Sequence, residues 1–104
     1  QAAAYLKRKG YQILEQNFRC RQGEIDIIAR DRDYLVFIEV KYRRDEHEGD
    51  PAEAVNARKQ ARILRTARYY MTRYHISEDT PCRFDVVAVL GSNVRLIRDA
   101  FWCG

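Results

Sequence analysis

The chain is poor in the residues that build cross-linked or fibrous scaffolds. Among its 104 residues are three cysteines, two prolines, five glycines and one tryptophan. Cys20, Cys82 and Cys103 form no CxxC pair, and an odd number suits a disulfide framework poorly, so reduced thiols in or near the core are expected. A zinc site joining them with His47 and His75 would need a compact ligand spacing that this sequence does not offer. No apolar stretch reaches the roughly 18 residues of a membrane helix, and no basic start with an apolar core marks a signal peptide. The expectation is a soluble, cytoplasmic protein. Internal repeats and low-complexity segments are also missing.

What remains is an ordinary globular composition, 46% hydrophobic and 33% charged. The length suits one domain spanning residues 1–104, with any active site close to the surface. A net charge of +4 points mildly toward anionic partners, because a basic surface attracts phosphate through long-range fields and counterion release.

Helix formers at residues 1–9 followed by Gly10 read as the tail of a helix. Tyr11 to Cys20 and the alternating stretch from Gly23 to Ala29 read as two consecutive strands. Residues 34–42 (YLVFIEVKY) form a nearly unbroken run of strand formers, the signature of a central strand covered on both faces. Arg43 to Asp50 has no apolar anchor and reads as a mobile loop. Asp50-Pro51-Ala52-Glu53 carries the marks of a helix start, which predicts a helix from Pro51 to Tyr74 with Leu64, Ala67, Met71 and Tyr74 inward and Gln60 on the same stripe. Residues 82–90 and 94–97 read as two further strands around a Gly91-Ser92-Asn93 turn. The order helix, three strands, helix, two strands predicts an α/β domain whose mixed central β-sheet is flanked by helices.

Glu39 and Lys41 lie two apart on the central strand, so they leave the same face. An acid inside an apolar run is costly unless it is paired or binds a metal. Glu24 and Asp26 share a face of the preceding strand by the same parity. A hairpin across Arg32-Asp33, with paired residue numbers summing to 65, sets Asp26 opposite Glu39 and Glu24 opposite Lys41. Carboxylates held together repel unless a cation neutralises them, and Mg²⁺ commonly takes one or two carboxylates while keeping waters that phosphate oxygens can replace. A metal there would activate water and polarise a phosphodiester, with Lys41 placed to orient the water and stabilise developing charge. A plain structural Glu–Lys pair is the alternative.

At this point four ordered blocks resemble a known family: GEIDIIA at 23–29, FIEVKYR at 37–43, RKQ at 58–60 and RFDVV at 83–87. Together they are similar to the YraN-like family of small bacterial proteins, grouped with the PD-(D/E)xK nucleases and similar to archaeal Holliday-junction resolvases. The resemblance implies a restriction-endonuclease-like core. It makes Asp26 and Glu39 ligands of Mg²⁺ or Mn²⁺, the carbonyl of Val40 a further ligand, Lys41 the catalytic lysine and Gln60 a helical glutamine near the site. It also implies a metal-dependent endonuclease acting on branched or structured DNA, with a nuclease-fold DNA-binding module that does not cut as the alternative. A resolvase-like role would favour a homodimer. Relatives of this kind add a glutamate from the first helix, just ahead of the Ala-rich segment at Gln1. The first helix is therefore expected to be truncated here, and the chain to bind metal poorly.

Several residues stay open between two readings. Asp85 is either a supporting group of the site or the partner of a basic residue such as Arg83. Tyr42 and Arg43 either contact DNA at the mouth of the site or pack at a strand end. Arg58, Lys59 and Arg62 are either nucleic-acid contacts or a solvated helix face. Phe101 and Trp102 read most simply as packing.

Overall fold

The computed structural model describes residues 1–44 and 55–101, arranged as α1 (Ala2–Arg8), β1 (Gln12–Cys20), β2 (Gly23–Asp31), β3 (Tyr34–Arg43), α2 (Ala57–Arg73), β4 (Cys82–Leu90) and β5 (Asn93–Ile97). The five strands form one sheet in the order β1-β2-β3-β4-β5, with β3 and β4 parallel and all other neighbours antiparallel. The single parallel pair follows from connectivity. Chain leaving β3 returns through α2 before re-entering the sheet, the crossover that parallel strands require. This is the mixed α/β sheet expected from the order of elements, consistent with a restriction-endonuclease-like core.

Both faces of β3 are covered, which explains its unbroken apolar run. On one side Leu35 and Phe37 join Ile28, Val86 and the α2 residues Ile63, Ala67 and Tyr70. On the other, Val36 and Ile38 join Ile27, Ala29, Val87 and the α1 residues Ala2 and Leu6. Aromatic rings tie the α2 layer together: Phe37 lies 5.6 Å from Phe84, and Phe84 lies 5.1 Å from Phe101. Such pairs add about 0.5–1.5 kcal/mol each beyond burial.

The β2–β3 hairpin turns across Arg32-Asp33, and Arg32 takes a left-handed backbone (φ 56°) to close it. Its register runs from Asp31↔Tyr34 to Ile27↔Ile38, so paired numbers sum to 65 as expected. The regular ladder stops one pair short of Asp26 and Glu39.

Two expectations about α2 need correction. Asn56 precedes the helix in an extended conformation and accepts a hydrogen bond from the Lys59 amide at 2.9 Å, so α2 starts at Ala57 and is not continuous with the Asp50-Pro51 signal. That signal, His47 and the charged stretch beyond Arg44 fall in residues 45–54, and Trp102 and Cys103 lie near the end, all outside the described residues, whereas Arg43, expected in the loop, ends β3 opposite Leu90. The buried stripe is also rotated. It runs through Ile63, Thr66, Ala67 and Tyr70, with Leu64 and Met71 flanking it and Tyr74 exposed. Thr66 can sit inward because its hydroxyl donates to the Arg62 carbonyl one turn back, at 2.9 Å.

The thiols also differ from expectation. Cys82 is exposed and Cys20 only half-buried. Among the described residues no helix is long and apolar enough to cross a membrane.

Candidate active site

β2, β3 and the first turns of α2 enclose an open cleft of about 630 Å³. Asp26 and Glu39 line it, Glu24 stands at its side, and Arg19, Arg58, Lys59 and Arg62 supply its cations. The first half of α2 therefore lies over the end of β3 that carries Glu39.

Asp26 sits where β1 and β2 change course. Ile25 packs into the α2-side core and Ile27 into the α1-side core, although residues two apart normally share a face. Their partners on β1 are Phe18 and Gln16, so the residue facing Asp26 is Asn17, which takes a positive φ of 54°. The strands swap faces at this step. Asp26 consequently reaches toward Val40, and its Oδ2 accepts the Val40 amide at 2.7 Å. That bond fixes the carboxylate against the backbone between Glu39 and Lys41.

The same exchange undoes the expected pairing of Glu24 with Lys41. Glu24 instead meets its β1 neighbour Arg19 at 3.0 Å, an exposed ion pair of little energetic weight. Gly23, where β2 begins, touches α2 closely. A Cβ there would stand 2.8 Å from Arg62 Cγ and 2.9 Å from Thr66 Oγ1, and its φ of +147° also disfavours a side chain.

Glu39 is the buried acid of the cleft, its side chain only 11% exposed and in an ion pair with Lys59 of α2. Burial raises its pKa above the ordinary carboxylate value; Lys59 opposes that rise, nearby Asp26 adds to it, and Lys41 opposes it more weakly. Lys41 is half-buried and, among the described residues, has no hydrogen bond or ion pair of its own. Gln60 donates to the Val55 carbonyl at 2.7 Å, which ties α2 to the chain before it. Tyr42 is exposed beyond Lys41, on the rim of a smaller hollow that Asp26 also borders.

Asp85 belongs elsewhere. It is fully buried and receives Tyr11 Oη at 2.8 Å, the Arg83 guanidinium at 2.9 and 3.0 Å and the Asp99 amide at 2.9 Å. Arg83 also reaches Asp31 at 2.8 Å. Burial alone would lower the Arg83 pKa, but hydrogen bonds to Asp85 and Asp31 outweigh it and the net shift is upward. Of the two readings of Asp85, the ion pair with Arg83 is the one present.

Reading residues in sequence order missed Lys59 as the partner of Glu39, and Arg19 on the cleft wall. The Lys59 contact depends on the rotation of α2 about its axis, which the register of the strands does not fix.

Residues 1–89 match the family described as "Uncharacterised protein family UPF0102". A UPF0102 protein of Lachnoclostridium phytofermentans is 55% identical over 101 residues, 97% of this chain and 86% of that protein. Others from Syntrophus aciditrophicus and Clostridium botulinum are 52% and 50% identical, each across 96% of this chain and 81% and 86% of their own lengths. The chain belongs to the UPF0102 family. This YraN-like family falls within the PD-(D/E)xK nuclease-like superfamily.

The donor set can be weighed against the metal such a fold implies. Among the described residues no three His, Cys, Asp or Glu side chains group closely enough to hold an ion between them. What Asp26 and Glu39 present on the cleft is a pair of oxygen donors, the kind that Mg²⁺ and Mn²⁺ take one or two at a time while keeping most of their waters.

Proposed function

We propose that this protein is a Mg²⁺- or Mn²⁺-dependent endonuclease that hydrolyses phosphodiester bonds in structured or branched DNA. The observation that carries the reading is the pairing of Asp26 and Glu39 on one open cleft, where Glu39 is poorly solvated and cationic side chains line the wall. Asp26 and Glu39 would hold the ion, with the Val40 carbonyl as a third candidate ligand. A bound divalent ion supplies Lewis acidity and a water of lowered pKa.

The chain's own groups do the rest. The Asp26 bond to the Val40 amide holds the carboxylate and the strand at fixed separation. Lys41, without a competing partner among the described residues, is free to orient the attacking water and to meet charge on the phosphorane-like transition state. Lys59 neutralises Glu39 in the absence of a metal and, once released, faces the scissile strand. Arg58 and Arg62 meet flanking phosphates, and Tyr42 and Arg43 stand just past Lys41, toward the mouth. Gln60 acts by anchoring the start of α2.

The test is a panel of single-stranded, duplex, flap and four-way-junction DNA with Mg²⁺ or Mn²⁺, assayed for this chain and for a form extended at its N-terminus. Metal-dependent cleavage of a structured substrate is expected, lost in Asp26→Asn and in Lys41→Ala while both remain folded. Cleavage equal to wild type in both variants rules the reading out. Sedimentation with junction DNA asks whether two copies assemble on it.

A second reading, a DNA-binding module on a nuclease fold that does not cut, is favoured by the Lys59–Glu39 ion pair, since a lysine on the acid competes with a metal. Calorimetric titration separates the two: the module takes up neither Mg²⁺ nor Mn²⁺.

A further inference from the structure

α2 carries six cationic residues and no acidic one in 17 positions. The whole chain is only +4, so the remainder is net acidic and the positive charge is concentrated on this helix. Arg58, Arg62, Arg65 and Arg73 recur at intervals that place them along one exposed edge, with Tyr69 between them. Lys59 is held by Glu39, but Arg58, Arg62, Arg65 and Arg68 make no ion pair among the described residues. Neighbours three and four apart of like sign destabilise a helix, so in the free protein the arrangement opposes folding. By contrast, Arg19 meets Glu24, and Arg83 meets Asp31 and Asp85.

The stripe is continuous with the cleft. Arg58 and Arg62 line both, and the row then leaves along α2 beside the β1–β2 hairpin, where Gly23 lies against Arg62 and Phe18 lies 6.3 Å from Tyr69. From Arg58 to Arg73 it extends about 22 Å at 1.5 Å per residue. That length covers about six base pairs of one strand at roughly 3.4 Å each. Single strands are held by successive aromatic platforms, whereas this row offers one partly exposed tyrosine that already rests on Phe18.

We propose that Arg58, Arg62, Arg65 and Arg73 form a track for the phosphate backbone of a duplex arm leading away from the Asp26–Glu39 cleft. The proposal rests on reading that cleft as a nucleic-acid site and adds the path and strandedness of the bound arm. Arg65 and Arg73 lie outside the cleft lining, so they add binding through phosphate charge and carry no base specificity.

The test measures duplex binding in EDTA as a function of salt, so that cleavage does not enter. For R65Q/R73Q the slope of log affinity against log salt should become less steep by about two units, at roughly 0.9 per phosphate contact. At 0.1 M salt that corresponds to roughly fifty-fold weaker binding, equal for unrelated sequences. Thermal unfolding should show no loss of stability, since like-charge repulsion is relieved. R8Q, on α1, should keep the wild-type slope. An unchanged slope in the double variant, equal losses in R8Q, tighter binding of single strands than of duplex, or no duplex binding by the wild-type chain would each overturn the track. Absence of cleavage with the slope change intact would overturn the nuclease reading and leave the track standing.

Discussion

Two clusters of carboxylates and cations share this sheet, and they differ in what each leaves over. Around Asp85, on the α1 side, a buried carboxylate meets four donor contacts from Tyr11, Arg83 and the Asp99 amide, and Arg83 also reaches Tyr11 and Asp31. Around Glu39, on the α2 side, one acid is buried against a half-exposed lysine, a second uses one oxygen on a backbone amide, and water reaches both through an open cleft. The first cluster is closed and holds the fold together. The second is unfinished, with repulsion between its acids and room for another partner. Both are acids within strands, so composition alone cannot separate them; satisfaction of their hydrogen bonds does.

The comparison predicts opposite effects of mutation. Asp85→Ala strips three partners at once and leaves Arg83 mostly buried, so unfolding free energy should fall by about 3–5 kcal/mol. In urea or heat that is a Tm loss of more than ~10 °C for a domain this size. Any activity per folded molecule should persist. Gly23→Ala should come next, at about 1–3 kcal/mol, because the added Cβ meets Arg62 and Thr66 and forces β2 from α2 beside the cleft. Asp26→Asn keeps an acceptor for the Val40 amide and should cost under about 1 kcal/mol, while removing cleavage.

The smallest effect has the other sign. Glu39 has a folded pKa above its unfolded value, first because of burial. Between those two values the folded state binds more protons, so this carboxyl's contribution is most favourable below the unfolded pKa and is lost as pH rises through the folded one. Glu39→Gln should therefore melt slightly higher than wild type at pH 7, with the difference vanishing on acidification below the ordinary carboxylate range. A lower Tm at pH 7 would show that the Lys59 contact outweighs burial.

Much of this was legible in the chain because strands read locally. The apolar run of β3 and the two residues between β2 and β3 were enough to set the register that brings Asp26 toward Glu39. Face assignment failed where local rules break. The exchange at Asp26 depends on Asn17 of another strand, and it moved Glu24 from Lys41 to Arg19. The stripe of α2 was misplaced because Thr66 satisfies its own hydroxyl within the helix and can be buried, a bond that a polarity pattern does not register. The alternative spacing Ile63, Thr66, Ala67, Tyr70 was present as a helical period, and counting threonine as buriable would have found it. Asp50-Pro51 and Asn56 are both start signals, and local chemistry does not say which one opens the long helix.

The central claim is that the unfinished cluster, and not the closed one, takes a divalent ion. Backbone amide NMR with trace Mn²⁺ reads this directly, because paramagnetic broadening reports even weak occupancy. The account predicts selective loss of the Asp26, Val40 and Lys41 signals, absent in Asp26→Asn, with Asp85 and Asp99 staying sharp. Uniform broadening, broadening centred on Asp31 and Asp85, or none at all would contradict it.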